Sequence, residues 1–147
     1  MKIIILNGKG NCGKTTVLKK LYAKIVADSR FSQIYFKKEE PLDLSAMFEC
    51  NGKKIGLTTL GDGERDLKGP FDIFIKENCD LVVCACRSRD TKNGAVSYIK
   101  SLTADLIWYK KAYVEAWKEL YGADEEIDKI NELQAEILLK EMLEQLK

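Results

Sequence analysis

Histidine is absent from the 147-residue chain. Its absence excludes Ser-His-Asp triads and histidine general acid–base chemistry. No apolar run approaches the ~20 residues that span a bilayer, so no membrane segment is expected. Neither sign of charge dominates: 24 Lys and Arg against 23 Asp and Glu leave a net charge of +1. That balance offers no bulk electrostatic case for nucleic acid. Proline occurs only twice, and there is no internal repeat or low-complexity segment. Residues 1–147 therefore read as one domain, long enough for a sizeable core. The N-terminus passes straight into an apolar strand, which leaves no room for a signal peptide, and a cytoplasmic protein is expected.

Cysteine is present five times, an odd count that argues for reduced thiols over a disulfide framework. Cys84-Ala85-Cys86 resembles a metal pair in spacing. On a strand, however, both thiols point to one face and act as small apolar residues. Without histidine or a C-x-x-C pair, no zinc site is expected.

The most informative stretch is Gly8-Lys9-Gly10-Asn11-Cys12-Gly13-Lys14-Thr15. Before it, Ile3 to Leu6 form a short apolar run suited to a strand buried on both faces. After it, Lys14 to Asp28 carries Val17, Leu18, Leu21, Tyr22, Ile25 and Val26 on one helical face. Strand, glycine loop and helix follow in the order that phosphate binding needs. Gly8, Gly10 and Gly13 permit tight turns and close backbone approach. The loop's N–H groups and the positive end of the helix then face an anion. Lys14 is expected to reach the β- and γ-phosphates, the Thr15 hydroxyl to ligate Mg²⁺, and Thr16 to neighbour the α-phosphate.

Further along, Gln33 to Lys38 contains Ile34-Tyr35-Phe36, a second strand, and Lys37-Lys38-Glu39-Glu40-Pro41 then reads as a solvated loop. Between Leu44 and Leu60, two alternating runs flank Asn51-Gly52, a strong hairpin signal. The hairpin leads to Gly61-Asp62-Gly63. There Asp62 is the candidate second Mg²⁺ ligand, with a helix cap as the plainer alternative. Gly69-Pro70 predicts a helix starting near Pro70. Leu81 to Cys86 is another buried strand, emptying into Arg87 and Arg89, which either meet phosphate and stabilise transferring charge or stand as two exposed arginines on a loop. A short helix over Ala95 to Leu102, a last strand over Asp105 to Tyr109, a helix over Val114 to Tyr121 and a long helix from Asp124 complete the chain. The last carries Ile127, Ile130, Leu133, Ile137, Leu138, Met142 and Leu146 as its apolar stripe. It packs on the sheet or offers a surface for a protein partner or a second copy.

Gly8 to Thr15 fits the Walker A pattern, G-x-x-x-x-G-K-[ST], and the chain as a whole resembles a P-loop NTPase of minimal size. The resemblance implies an α/β, three-layer fold with a mixed, mainly parallel sheet, one β-hairpin and a long C-terminal helix. Met1 to Leu21 is similar to the opening of the partitioning and cell-division-site ATPases, which use a deviant Walker A loop. Lys9 matches their extra lysine, which reaches a partner's nucleotide across a dimer, although Asn11 stands where they usually have glycine. The middle of the chain resembles small regulatory GTPases. Yet Asp62 is followed by Gly63, Glu64 and Arg65, not by D-x-x-G, and Tyr109-Lys110-Lys111-Ala112 lacks the residues that read guanine. ATP is therefore expected, with GTP not excluded. Small-molecule and nucleotide kinases share the loop and bring arginines from a lid.

Three functions remain open on this reading. The first is a slow Mg²⁺-dependent ATPase or nucleotide switch, with Lys14, Asp62, Arg87 and Arg89 as its catalytic set. The second is a phosphotransferase with Asp62 or Asp66 as base. The third is a non-enzymatic nucleotide-sensing module that works through its C-terminal helix.

Overall fold

The computed structural model describes residues 1–10, 12–39, 41–87, 94–112 and 124–147. In chain order the elements are β1 (Lys2–Gly8), α1 (Lys14–Ala27), β2 (Ser32–Glu39), β3 (Asp43–Cys50), β4 (Lys53–Thr58), α2 (Glu64–Lys76), β5 (Leu81–Arg87), α3 (Ala95–Leu102), β6 (Leu106–Lys110) and α4 (Asp124–Gln145). The six strands form one sheet in the order β2-β3-β4-β5-β1-β6. β4, β5, β1 and β6 pair in parallel, while β3 runs antiparallel to both β2 and β4. The fold is thus α/β with a mixed sheet.

Alternation along β1 divides the interior into two layers. Ile4 and Leu6 face α1 and α4, packing with Val17, Leu18, Leu21, Ala135, Leu138 and Met142. Ile3 and Ile5 face α2 and α3, packing with Leu67, Phe71, Phe74, Val96 and Ile99. β1 and β5 are neighbours, yet the helix after β1 lies on one face and the helix after β5 on the other. Such a switch point opens a crevice beyond the carboxyl ends of the two strands.

The Asn51-Gly52 hairpin forms as expected, with both residues at positive φ, 53° and 73°. These are the paired left-handed residues of a two-residue turn whose twist matches its strands. Cys84 and Cys86 share the α2/α3 face with Val82, and all five cysteines are unbridged and buried. Burial raises the pKa of both thiols.

Four expectations need correction. The helix expected near Pro70 begins at Glu64 and contains the proline. Pro70 cannot donate to the carbonyl four residues back. Burial of Leu67, Pro70, Phe71 and Phe74 along one stripe outweighs that loss. Lys37, Lys38 and Glu39 belong to β2, where pairing with β3 extends the strand past the apolar residues. Val26 is 55% exposed, because α1 turns it away from both the sheet and α4. The stripe on α4 is also rotated: Asn131, Ala135, Leu138, Met142 and Leu146 are buried, whereas Leu133 and Ile137 face outward. The helix expected over Val114 to Tyr121 lies outside the described residues.

Candidate functional site

The loop after β1 folds back on itself because its glycines leave no room for side chains. A Cβ on Gly8 would stand 2.9 Å from both the Cys12 Sγ and the Lys111 Cβ. Gly13 takes a left-handed conformation, φ 95°, directly before α1. Lys14 opens that helix, and its ammonium curls back into the loop. Its Nζ donates to the carbonyls of Gly8 (2.9 Å) and Lys9 (2.7 Å), and only 7% of Lys14 is exposed. The first turn of α1 has no acidic residue and Gly13 supplies no side-chain cap. Its orphan N–H groups and positive dipole end are thus not offset by an acid in the helix's own first turn.

Facing the loop is a crevice of about 310 Å³ lined by Cys12, Gly13, Lys14, Thr15, Thr59, Gly61, Asp62 and Ala85. The exits of β4 and β5 form its far wall. They approach so closely that a Cβ on Gly61 would lie 2.2 Å from the Ala85 carbonyl oxygen. Arg87 ties the two walls together. Its backbone N–H donates to the Gly61 carbonyl (3.3 Å) and its Nε donates to Asp62 Oδ1 (3.1 Å). Its guanidinium also lies 3.3 Å from where a Gly10 side chain would begin. Both Asp62 and Arg87 are largely exposed, so their attraction is screened and easily exchanged.

The structure therefore gathers Gly8, Gly10, Cys12, Gly13, Lys14, Thr15, Asp62 and Arg87 at one end of the sheet. Thr16 is exposed on the first turn of α1, outside the crevice lining, and Lys9 is exposed on the loop. Asp66 is exposed on α2 and does not line the crevice. Asn11 and Arg89 lie outside the described residues. Among the described residues no group of three or more Cys, Asp or Glu side chains converges on one point.

Other contributors have no local signature in the sequence. Asn7 Nδ2 donates to Cys86 Sγ (3.2 Å) and to the Arg87 carbonyl (3.3 Å), locking the ends of β1 and β5 together. Thr59 Oγ1 donates to Asp43 Oδ1 (2.7 Å) and accepts from the Leu44 N–H (3.0 Å). This pair holds the exit of β4 against the start of β3. A two-threonine strand end was the only available hint. Lys111 continues the line of β6, donating from its N–H to the Asn7 carbonyl (2.7 Å). Gln134 on α4 brackets it, bonding the Lys110 carbonyl (2.9 Å) and the Ala112 N–H (3.2 Å). Burial lowers the pKa of the Lys111 ammonium, and the neighbouring Lys14 charge adds to the effect.

α4 reaches this end of the molecule because it runs alongside α1 in the same sense. Lys20 pairs with Asp128 (2.8 Å) and Glu132 (3.4 Å), and Lys24 with Glu132 and, further on, Glu136 (3.6 Å). Both N-termini thus lie at the loop end. At the opposite end of β1, Lys2 bonds Gln145. A depression of about 410 Å³ on the outer side of this helix pair is lined mainly by apolar residues, including Leu133, Ile137 and Leu143. Its charged lining is Lys24, Glu136 and Lys140, of which Lys24 and Glu136 are already paired with each other. No helix among the described residues is long and apolar enough to cross a membrane.

Compared with known proteins, the chain matches no family model, no curated protein and no solved structure.

Proposed function

We propose that the chain is a small P-loop nucleotide-binding protein that takes Mg²⁺-ATP and either hydrolyses it slowly or uses it as a switch. One observation carries the reading. A helix N-terminus without acids or a cap follows a left-handed glycine, and the next residue is a buried lysine whose ammonium is held by loop carbonyls. That arrangement suits a phosphate chain, which accepts from both the backbone N–H groups and the lysine. Thr15 and Asp62 line the same crevice, so one hydroxyl and one carboxylate are available to Mg²⁺. Mg²⁺ typically needs few protein ligands when phosphates supply the others.

On this reading Lys14 leaves the Gly8 and Lys9 carbonyls for the β- and γ-phosphates. Arg87 exchanges Asp62 for the γ-phosphate, which frees the carboxylate for the metal. The same exposed pair that is weak in the free protein thus becomes two separate ligand contacts. Turnover is slow because Asp62, the one carboxylate among the described residues of the crevice lining, is committed to the metal and does not orient a water. Five buried, unbridged cysteines suit a reducing cytoplasm. The outward Leu133 and Ile137 give α4 a surface for a protein partner or a second copy.

The test is calorimetric titration of Mg²⁺-ATP into the wild type and Lys14→Ala. The variant is expected to bind at least about a hundredfold more weakly, as befits loss of a charge that meets phosphate in a buried setting. Equal affinity in both proteins, or no binding by the wild type, removes the reading.

A further inference from the structure

The buried stripe of α4 runs Asn131, Ala135, Leu138, Met142 and Leu146, apolar at every position but the first. Asn131 is 4% exposed, and its Oδ1 has no hydrogen-bond partner among the described residues. A buried acceptor without a donor is a standing cost, which an apolar residue at the same position would avoid. Its location suggests what the oxygen is for. The Asn131 carboxamide lies 3.6 Å (Nδ2) and 3.7 Å (Oδ1) from where a Gly13 side chain would begin. Lys111 Cε lies 3.4 Å from the same point. Asn131 and Lys111 therefore flank the glycine loop on the β6 and α4 side, while Thr59 and Asp62 flank it on the β4 and β5 side.

A nucleotide is longer than its phosphate chain. With its metal end between Thr15 and Asp62, its nucleoside must leave the loop on the opposite side. We propose that Asn131 recognises that nucleoside, its carboxamide oxygen accepting a hydrogen bond from an N–H or O–H donor of the base or ribose. The Lys111 methylenes, fixed by the Gln134 bracket around their backbone, form the adjoining wall. The ligand class is a nucleoside triphosphate, and the inference rests on the phosphate-loop reading above. It gives α4 a role in ligand choice and explains a polar residue retained at the loop end of a helix whose other buried residues are apolar.

The experiment titrates the full chain with Mg²⁺-ATP, Mg²⁺-GTP and inorganic tripolyphosphate, and repeats this with Asn131→Leu and Asn131→Ala. The wild type is expected to bind at least one nucleotide about tenfold or more tighter than tripolyphosphate. The variants are expected to lose about that factor for the nucleotide while holding tripolyphosphate affinity within about twofold. Without ligand, Asn131→Leu is expected to melt no lower than the wild type. Nucleotide affinity unchanged in whichever variant folds overturns the proposal. Equal losses for nucleotide and tripolyphosphate also overturn it, because they mark a support for the loop. Failure of both variants to fold overturns it likewise. A wild type that binds tripolyphosphate as well as either nucleotide refutes nucleoside recognition and leaves the loop reading standing. A wild type that binds none of the three removes the loop reading itself.

Discussion

Two helices begin at the same end of the sheet after glycine-rich turns, and they solve the same electrostatic problem differently. α1 follows a left-handed Gly13, and the first turn contains no acid. α2 follows an extended Gly63 and carries Glu64 and Asp66 in its first turn. Neither has a side-chain cap. The positive end of α2 is therefore offset by its own carboxylates, while that of α1 is left for something else. The difference is instructive because glycine content alone does not separate the two turns. What separates them is which turn has its charge balanced within the chain. Lys14 sharpens the contrast, since it adds a buried cation to the unbalanced end.

The comparison is broken most severely at Gly61. Gly61→Ala places a methyl 2.2 Å from the Ala85 carbonyl oxygen, where only backbone can yield. A loss of about 1–3 kcal/mol is expected, read as a lower midpoint in urea unfolding. Because the shift moves Asp62 and Arg87, Mg²⁺-ATP affinity should fall as well. A silent substitution would mean that the α2 turn is not held by this close contact.

Gly69 isolates the interior of α2 from its turn. Apart from the adjoining Pro70, a Cβ there meets nothing within 4 Å. Gly69→Ala should raise stability by at most about 0.5–1 kcal/mol, since the new Cβ crowds the Pro70 ring, and leave nucleotide affinity alone. If affinity changes, the two turns are coupled through α2 and the contrast between them weakens.

The smallest expected effect gives the sharpest test. Thr16→Glu gives α1 the acid that α2 already has, at an exposed position in its first turn. The free protein should gain about 0.3–1 kcal/mol, a gain that added salt diminishes. Mg²⁺-ATP affinity should fall in the same protein, because the new carboxylate competes for the end of the helix. Stabilisation without loss of affinity would show that the α1 terminus is not where the anion sits.

Much of the local structure was readable from the residues. Asn51-Gly52 specifies its turn because few residue pairs tolerate positive φ twice in succession. Ala95 to Leu102 is helical over the expected span. Pro70 misled for a physical reason: its local preference for a first turn is worth less than the buried stripe that continues through it. Leu133 and Ile137 misled because a broad apolar arc on α4 does not say which part of it faces α1. The Lys20 and Lys24 pairs with α4 accompany the rotation that turns both residues outward.

The candidate site divides in the same way. Gly8 to Thr16 is contiguous, so its chemistry is written in one line of sequence. That Asp62 meets Arg87 depends on the exit of β4 lying against β5, and this follows from strand order. β5 lies between β4 and β1, so Asp62 is two strands from the loop it faces. Lys111 and Asn131 come to Gly13 only because β6 pairs with β1 and α4 runs beside α1 in the same sense.

The sequence by itself determined the glycine loop, the hairpin turn, the reduced cysteines and the absence of histidine chemistry. Each depends on a residue type or on neighbours a few positions apart. Tertiary structure alone decided which face of α4 is buried, where Arg87 finds its carboxylate, and that a carboxamide more than a hundred residues from Gly13 lies against it. Those contacts depend on sheet order and helix direction, which the burial of both sheet faces selects and no short stretch of residues encodes.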